Sequence, residues 1–257
     1  MLRTWENFFK PAAGLVKHTA NWLTSSTNGL ILTRNNDEVK SNEEIAIYCV
    51  HGTGDRCSAF STLANRLLPI LPAQVTHIEL VSFKNRAQGK SIEFFARQLK
   101  NKIASHHKNI ILMGHSRGGL VVAYFAENLA KEISGLNILE VICISSPLRG
   151  CALALFPFTT FSSSIYEMQW NSLFLKALTE QIEQSSIKYL YFTGDKDDIV
   201  LTTQACINDE KHLQRLTVLD NHGHLSIMTS KRLANAIKDS IDHIVAEQKP
   251  APTPAPK

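Results

Sequence analysis

The segment Asn109-Ile110-Ile111-Leu112-Met113-Gly114-His115-Ser116-Arg117-Gly118-Gly119-Leu120 joins a continuously apolar run to a helical pattern through a single serine flanked by glycines. Apolar β-branched runs of this kind suit a strand buried on both faces of a sheet. The glycines two positions before and two after Ser116 leave room for a sharp strand-to-helix turn. On such a turn the serine backbone is strained and its Oγ is pushed out above the sheet. The following helix start offers the Arg117 N–H to developing negative charge. Ser116 is therefore a candidate nucleophile, with Arg117 as one oxyanion donor.

Working outward, apolar runs recur at Ile45–Val50, Val75–Phe83, Ile110–Met113, Leu139–Ile144, Tyr189–Phe192 and Leu216–Leu219. Helical patterns lie between or after them at Ser58–Leu68, Ser91–Ser105, Gly118–Ile133 and Met228–Val245. This alternation predicts an α/β fold, a mostly parallel sheet with right-handed crossovers and helices on both faces. No strand is identified before residue 43, so one domain is expected over 43–246. Residues 149–186 interrupt the rhythm and are expected to form a cap or lid, because long insertions above a sheet are usually functional. Residues 1–42 hold an amphipathic segment, with Trp5, Phe8, Phe9, Val16 and Leu23 at helical spacing. Its apolar side either docks on the domain or lies in a membrane surface. The Pro/Ala-rich end, 247–257, is expected to be an extended tail.

A nucleophilic serine needs a base, a group to orient that base, and a second oxyanion donor. Upstream, Ile47–Val50 runs into His51-Gly52-Thr53-Gly54-Asp55, where glycines allow close backbone approach and the Thr53 N–H is the best second donor. Downstream, Tyr189–Gly194 leads into Asp195-Lys196-Asp197-Asp198, and three aspartates compete to orient the base. The next strand ends in His222-Gly223-His224, which supplies two histidines. The chain order Ser, Asp, His matches neither the chymotrypsin nor the subtilisin order.

From about residue 43 to 246 the chain resembles the α/β-hydrolases, within the lipase/esterase branch. The likeness rests on His51-Gly52, Gly114 to Gly119, Ser145-Ser146-Pro147-Leu148-Arg149-Gly150, Gly194 to Val200 and Gly223-His224-Leu225. The stretch after Ser145 is similar to one in bacterial lipases and in lipases related to inositol deacylases, with Ser146 where Thr is usual. The resemblance implies an eight-stranded sheet with the site at the strand C-terminal ends. By its G-x-x-D and G-H patterns it also implies Asp197 as the acid and His224 as the base.

The chemistry expected is acyl transfer through Ser116. His224 acts as base and then acid, Asp197 holds the imidazolium, and the N–H groups of Thr53 and Arg117 hold the oxyanion. No metal or organic cofactor is required. The expected substrate is an acyl ester or lipid, with peripheral membrane contact through the N-terminal segment or the lid. A thioesterase or acyltransferase would use the same residues, as would a peptide-bond hydrolase. A non-catalytic binding protein on the same fold is the reading from another class.

Composition excludes other classes. With 27 basic against 23 acidic residues, the net charge of +4 is too small and scattered for nucleic acid. Cys49, Cys57, Cys143, Cys151 and Cys206 form no C-x-x-C pair, so neither zinc nor a disulfide framework is expected. Gly89-Lys90-Ser91 imitates the end of a phosphate loop, but Lys84 stands where that loop needs glycine. His106-His107 reads as a solvated helix end, while Arg117 and Arg149 could rim the site. The N-terminus makes a poor signal peptide, because Glu6, Pro11 and Lys17 interrupt its basic and apolar regions. A cytoplasmic location is the default, with membrane association or signal-less export as alternatives.

Overall fold

Alternate residues of Ile45–Val50 feed two separate cores. Ala46, Tyr48 and Val50 pack on one face of the sheet, while Ile45, Ile47 and Cys49 pack on the other. Ile110 and Leu112 of the next strand in space likewise oppose Ile111 and Met113. A strand with no polar face must sit in the middle of a sheet covered on both sides. The computed structural model describes residues 29–34, 39–40, 42–85, 88–151, 154 and 158–248. The amphipathic stretch 1–28 and residues 249–257 of the tail lie outside the described residues.

The strands are β1 (Leu30–Thr33), β2 (Ile45–Val50), β3 (Val75–Val81), β4 (Asn109–His115), β5 (Asn137–Ile144), β6 (Tyr189–Gly194) and β7 (Leu216–Leu219). They form one sheet in the order β1-β3-β2-β4-β5-β6-β7. All neighbours are parallel except β1, which pairs antiparallel with β3. The resemblance implied eight strands; seven stand among the described residues. Strand β1, Leu-Ile-Leu-Thr, was not identified from the sequence. It is an edge strand whose residues are half or fully exposed, so it carries no strong burial pattern.

The helices are α1 (Ser61–Leu67), α2 (Ile92–Lys100), α3 (Arg117–Tyr124), α4 (Phe158–Phe161), α5 (Ser163–Glu167), α6 (Leu173–Gln184), α7 (Glu210–Leu213) and α8 (Lys231–Gln248). Side chains of α2, α3 and α6 fill the core that contains Tyr48. Those of α1 and α8 fill the other. Helix α2 starts at Ser91, whose Oγ accepts from the Phe94 N–H at 3.1 Å. The Gly89-Lys90-Ser91 stretch thus makes a helix cap, and Gly89 is pressed against the Phe161 carbonyl, where a Cβ would come within 2.3 Å. The helix expected over Gly118–Ile133 is α only as far as Tyr124; a π turn, Phe125–Leu129, and a 3-10 turn, Ala130–Glu132, complete it.

His107 departs from expectation. It is buried, with its Nδ1 2.6 Å from the Tyr48 hydroxyl. Chain neighbours alone suggested a solvated end; packing against β2 and β3 buries it. All five cysteines are free and buried.

Candidate active site

Ser116 sits between β4 and α3 with φ 54 and ψ −126, in the left-handed region that side chains rarely adopt. Its N–H donates to the Ile144 carbonyl at 2.9 Å, which ties the turn to β5. The turn closes only because its neighbours lack side chains. A Cβ on Gly118 would stand 2.0 Å from the Val50 carbonyl oxygen, and one on Gly114 would stand 2.4 Å from Gly118. Ser145, at the end of β5, is also left-handed, at φ 45. Strained residues of this kind cluster at functional sites.

The loop after β6 brings Asp197 to His224. The His224 Nδ1 lies 2.9 Å from Asp197 Oδ2 and 3.2 Å from Oδ1. An ionised carboxylate only accepts, so Nδ1 donates in this contact and Nε2 is left free of it. Oδ1 also accepts from the N–H groups of Ile199, at 3.0 Å, and Val200, at 2.8 Å. Burial is the largest influence on this carboxyl and raises its pKa; the His224 bond and charge, the Val200 N–H and the nearby Ser145 hydroxyl together outweigh it. The net result is a pKa below the usual carboxylate value. The Ser145 hydroxyl lies near this carboxylate but outside tight hydrogen-bond geometry.

Two of the competing groups, Asp195 and His222, bond elsewhere. Asp195 accepts from the His222 N–H at 3.3 Å, and the His222 Nδ1 faces the Asn221 carbonyl at 2.9 Å. Gly194 lets the loops after β6 and β7 meet, since a Cβ there would be 2.0 Å from the His222 carbonyl oxygen.

Ser116, His224 and Thr53 share the wall of one cavity of about 310 Å³. Its other lining is largely apolar, including Cys151, Ile165 and Met168 from the 149–186 insertion and Ile199 and Val200 from the Asp197 loop. Asp55 and His115 also line it. Neither was singled out from the sequence, although both stand inside quoted motifs; nothing in a single motif says which way a side chain turns. The His115 Nε2 reaches the His224 carbonyl at 2.9 Å, joining the serine strand to the histidine loop.

The N–H of Arg117 opens helix α3, where first-turn amides have no intrahelical acceptor. Its side chain does not rim the site. Arg117 is 2% exposed, with its guanidinium 4.1 Å from the centre of the Phe95 ring. Burial lowers its pKa to about 10, which leaves it charged at neutral pH. Arg149 is exposed and donates to the Thr203 carbonyl at 2.9 Å, in a separate groove. Among the described residues no His, Cys, Asp and Glu cluster could hold a metal ion.

A seven-stranded, mostly parallel sheet, covered by helices on both faces and carrying this turn above it, is a lipase/esterase-like α/β-hydrolase fold. The chain belongs to the family described as PGAP1-like alpha/beta domain, whose match spans residues 89–246. Among solved structures it is similar to a mature lipase of Bacillus licheniformis, BlEst2, at 15% identity and a TM-score of 0.60, covering 84% of this chain and 99% of that one. It is also similar to a monoacylglycerol lipase of Paleococcus ferrophilus, at 13% identity and a TM-score of 0.58, covering 86% and 99%. A third likeness is to the phospholipase PlaB of Legionella pneumophila, at 13% identity and a TM-score of 0.55, covering 79% and 63%. At such identities the likeness is one of fold. No curated protein sequence matches the chain.

Proposed function

We propose that the protein is a serine hydrolase that cleaves carboxylic esters through an acyl-enzyme on Ser116. The observation that carries this reading is the Asp197–His224 bond at 2.9 Å, with His224 and the left-handed Ser116 lining the same cavity. Ser116 Oγ attacks the ester carbonyl as the His224 Nε2 takes its proton, and Asp197 stabilises the imidazolium. The Thr53 and Arg117 N–H groups receive the oxyanion. His224 then protonates the leaving alcohol, and water releases the acyl group by the reverse steps.

An acyl or lipid substrate suits the largely apolar cavity. The described part of the 149–186 insertion supports a role as a lid that meets a lipid surface. Its Phe161, Tyr166, Trp170 and Leu173 are exposed, while its Ile165 and Met168 line the cavity. Exposed apolar groups on the segment that also walls the cavity are poorly placed in water and well placed at a lipid interface.

The test is hydrolysis of chromogenic esters from short to long acyl chains, with Ser116→Ala as control and fluorophosphonate labelling alongside. Turnover and labelling that vanish in Ser116→Ala are expected. Equal turnover in both proteins would refute the assignment.

A further inference from the structure

We infer that the Arg117 guanidinium is a positioning group that clamps the Gly52 carbonyl and thereby aims the Thr53 N–H at the oxyanion. The inference rests on the hydrolase reading above and adds to it a side chain that touches no substrate.

Three donors converge on the Gly52 carbonyl oxygen. The His51 Nδ1 stands at 2.9 Å, the Asp55 N–H at 3.4 Å and the Arg117 Nη2 at 3.5 Å. A trans peptide is planar, so the carbonyl of one residue and the N–H of the next point in opposite directions. Holding the Gly52 oxygen toward Arg117 and the core therefore turns the Thr53 N–H the other way, toward the cavity that Gly52, Thr53 and Ser116 line together. The approach is close, since a Cβ on Gly52 would come within 3.0 Å of the Ser116 Cβ.

Arg117 is an expensive choice for this place. It is among the largest fully buried side chains, and among the described residues its Nε meets no acceptor and it has no carboxylate in salt-bridge range. Its flat face rests on Phe95 instead. A buried charge without a counter-ion lowers stability, and an apolar side chain of similar volume is often neutral or stabilising in its place. Stability alone gives no reason for an arginine here. A fixed positive charge behind the oxyanion loop does, because it holds the loop and favours negative charge developing in front of it. Substituting the side chain leaves the backbone N–H of residue 117 in place, so the two roles of this residue separate cleanly.

The experiment compares wild type, Arg117→Met and Arg117→Lys on soluble chromogenic esters, with thermal unfolding and amide hydrogen exchange of the 51–55 peptide. Expected for Arg117→Met is a fall in kcat of about tenfold or more, below the 10²–10³ of losing an oxyanion donor outright. KM and melting temperature should stay near wild type, and exchange at 51–55 should quicken. Arg117→Lys should recover part of kcat by keeping the charge. Wild-type kcat in Arg117→Met would overturn the inference, as would a kcat loss matched by a loss of stability with unchanged exchange. If Ser116→Ala proves as active as wild type, the hydrolase reading fails on its own, and the exchange measurement still decides whether the clamp exists.

Discussion

Both carboxylate oxygens of Asp197 face the His224 Nδ1, at 2.9 and 3.2 Å, and one of them also takes two backbone N–H groups. The carboxylate is thus held from one side by its own loop and presents its remaining capacity to the histidine. Asp197→Asn offers an amide that can invert the tautomer, leaving a proton on Nε2 where the serine needs a base. We expect kcat to fall by about 10³–10⁴. Asp198→Asn should stay near wild type; similar losses in both would remove the assignment of Asp197.

The glycines of the serine turn serve geometry rather than flexibility. A Cβ on Gly118 would sit 2.0 Å from a backbone oxygen of β2, which cannot move aside as a side chain could. Gly118→Ala should cost on the order of 1–3 kcal/mol in chemical denaturation. It should also depress kcat more than KM, because the serine is displaced while the acyl pocket survives.

Met168 and Ile165 bring the insertion to the cavity wall. Filling that space with Met168→Trp should lower kcat/KM for long acyl chains while sparing the shortest esters. A uniform loss across the series would mean that the acyl chain does not lie along Met168.

Away from the site, His107 makes stability depend on pH. The Tyr48 hydroxyl, which accepts from the Ala104 N–H at 3.0 Å, lies 2.6 Å from the buried His107 Nδ1. Burial, followed by the neighbouring His77 and His106, lowers the His107 pKa from 6.5 to about 4. Between those values the unfolded chain binds the proton and the folded protein does not, so stability falls as pH falls. Urea midpoints should show a loss on the order of 1–2 kcal/mol between pH 7 and pH 4.5, discounted for partial solvation. His107→Gln should flatten that part of the profile, while an unchanged slope would place the titration elsewhere.

Much of the frame was legible because it is local. Strands β2 and β7 were read to the residue, and β3, β4, β5 and β6 to within a few positions at their ends. Edge strand β1 escaped, since four residues that are all half or fully exposed leave little pattern. The serine turn was legible for the same local reason: only glycine fits beside it. Asp55 and His115 were present in quoted motifs, but their turn toward the cavity depends on loops arriving from elsewhere.

The sequence by itself determined the α/β class, the serine turn and the chain order of the serine, the aspartates and the histidines, because periodicity and steric room are properties of neighbouring residues. It left three aspartates and two histidines open until family pattern was invoked. Tertiary structure alone placed Asp197 against His224, sent the Arg117 side chain inward onto Phe95, buried His107 beneath Tyr48 and assembled the cavity from segments spread between residues 52 and 225. Each of those outcomes turns on which face of a loop meets the sheet, and that is settled by burial and hydrogen bonding between segments far apart in the chain.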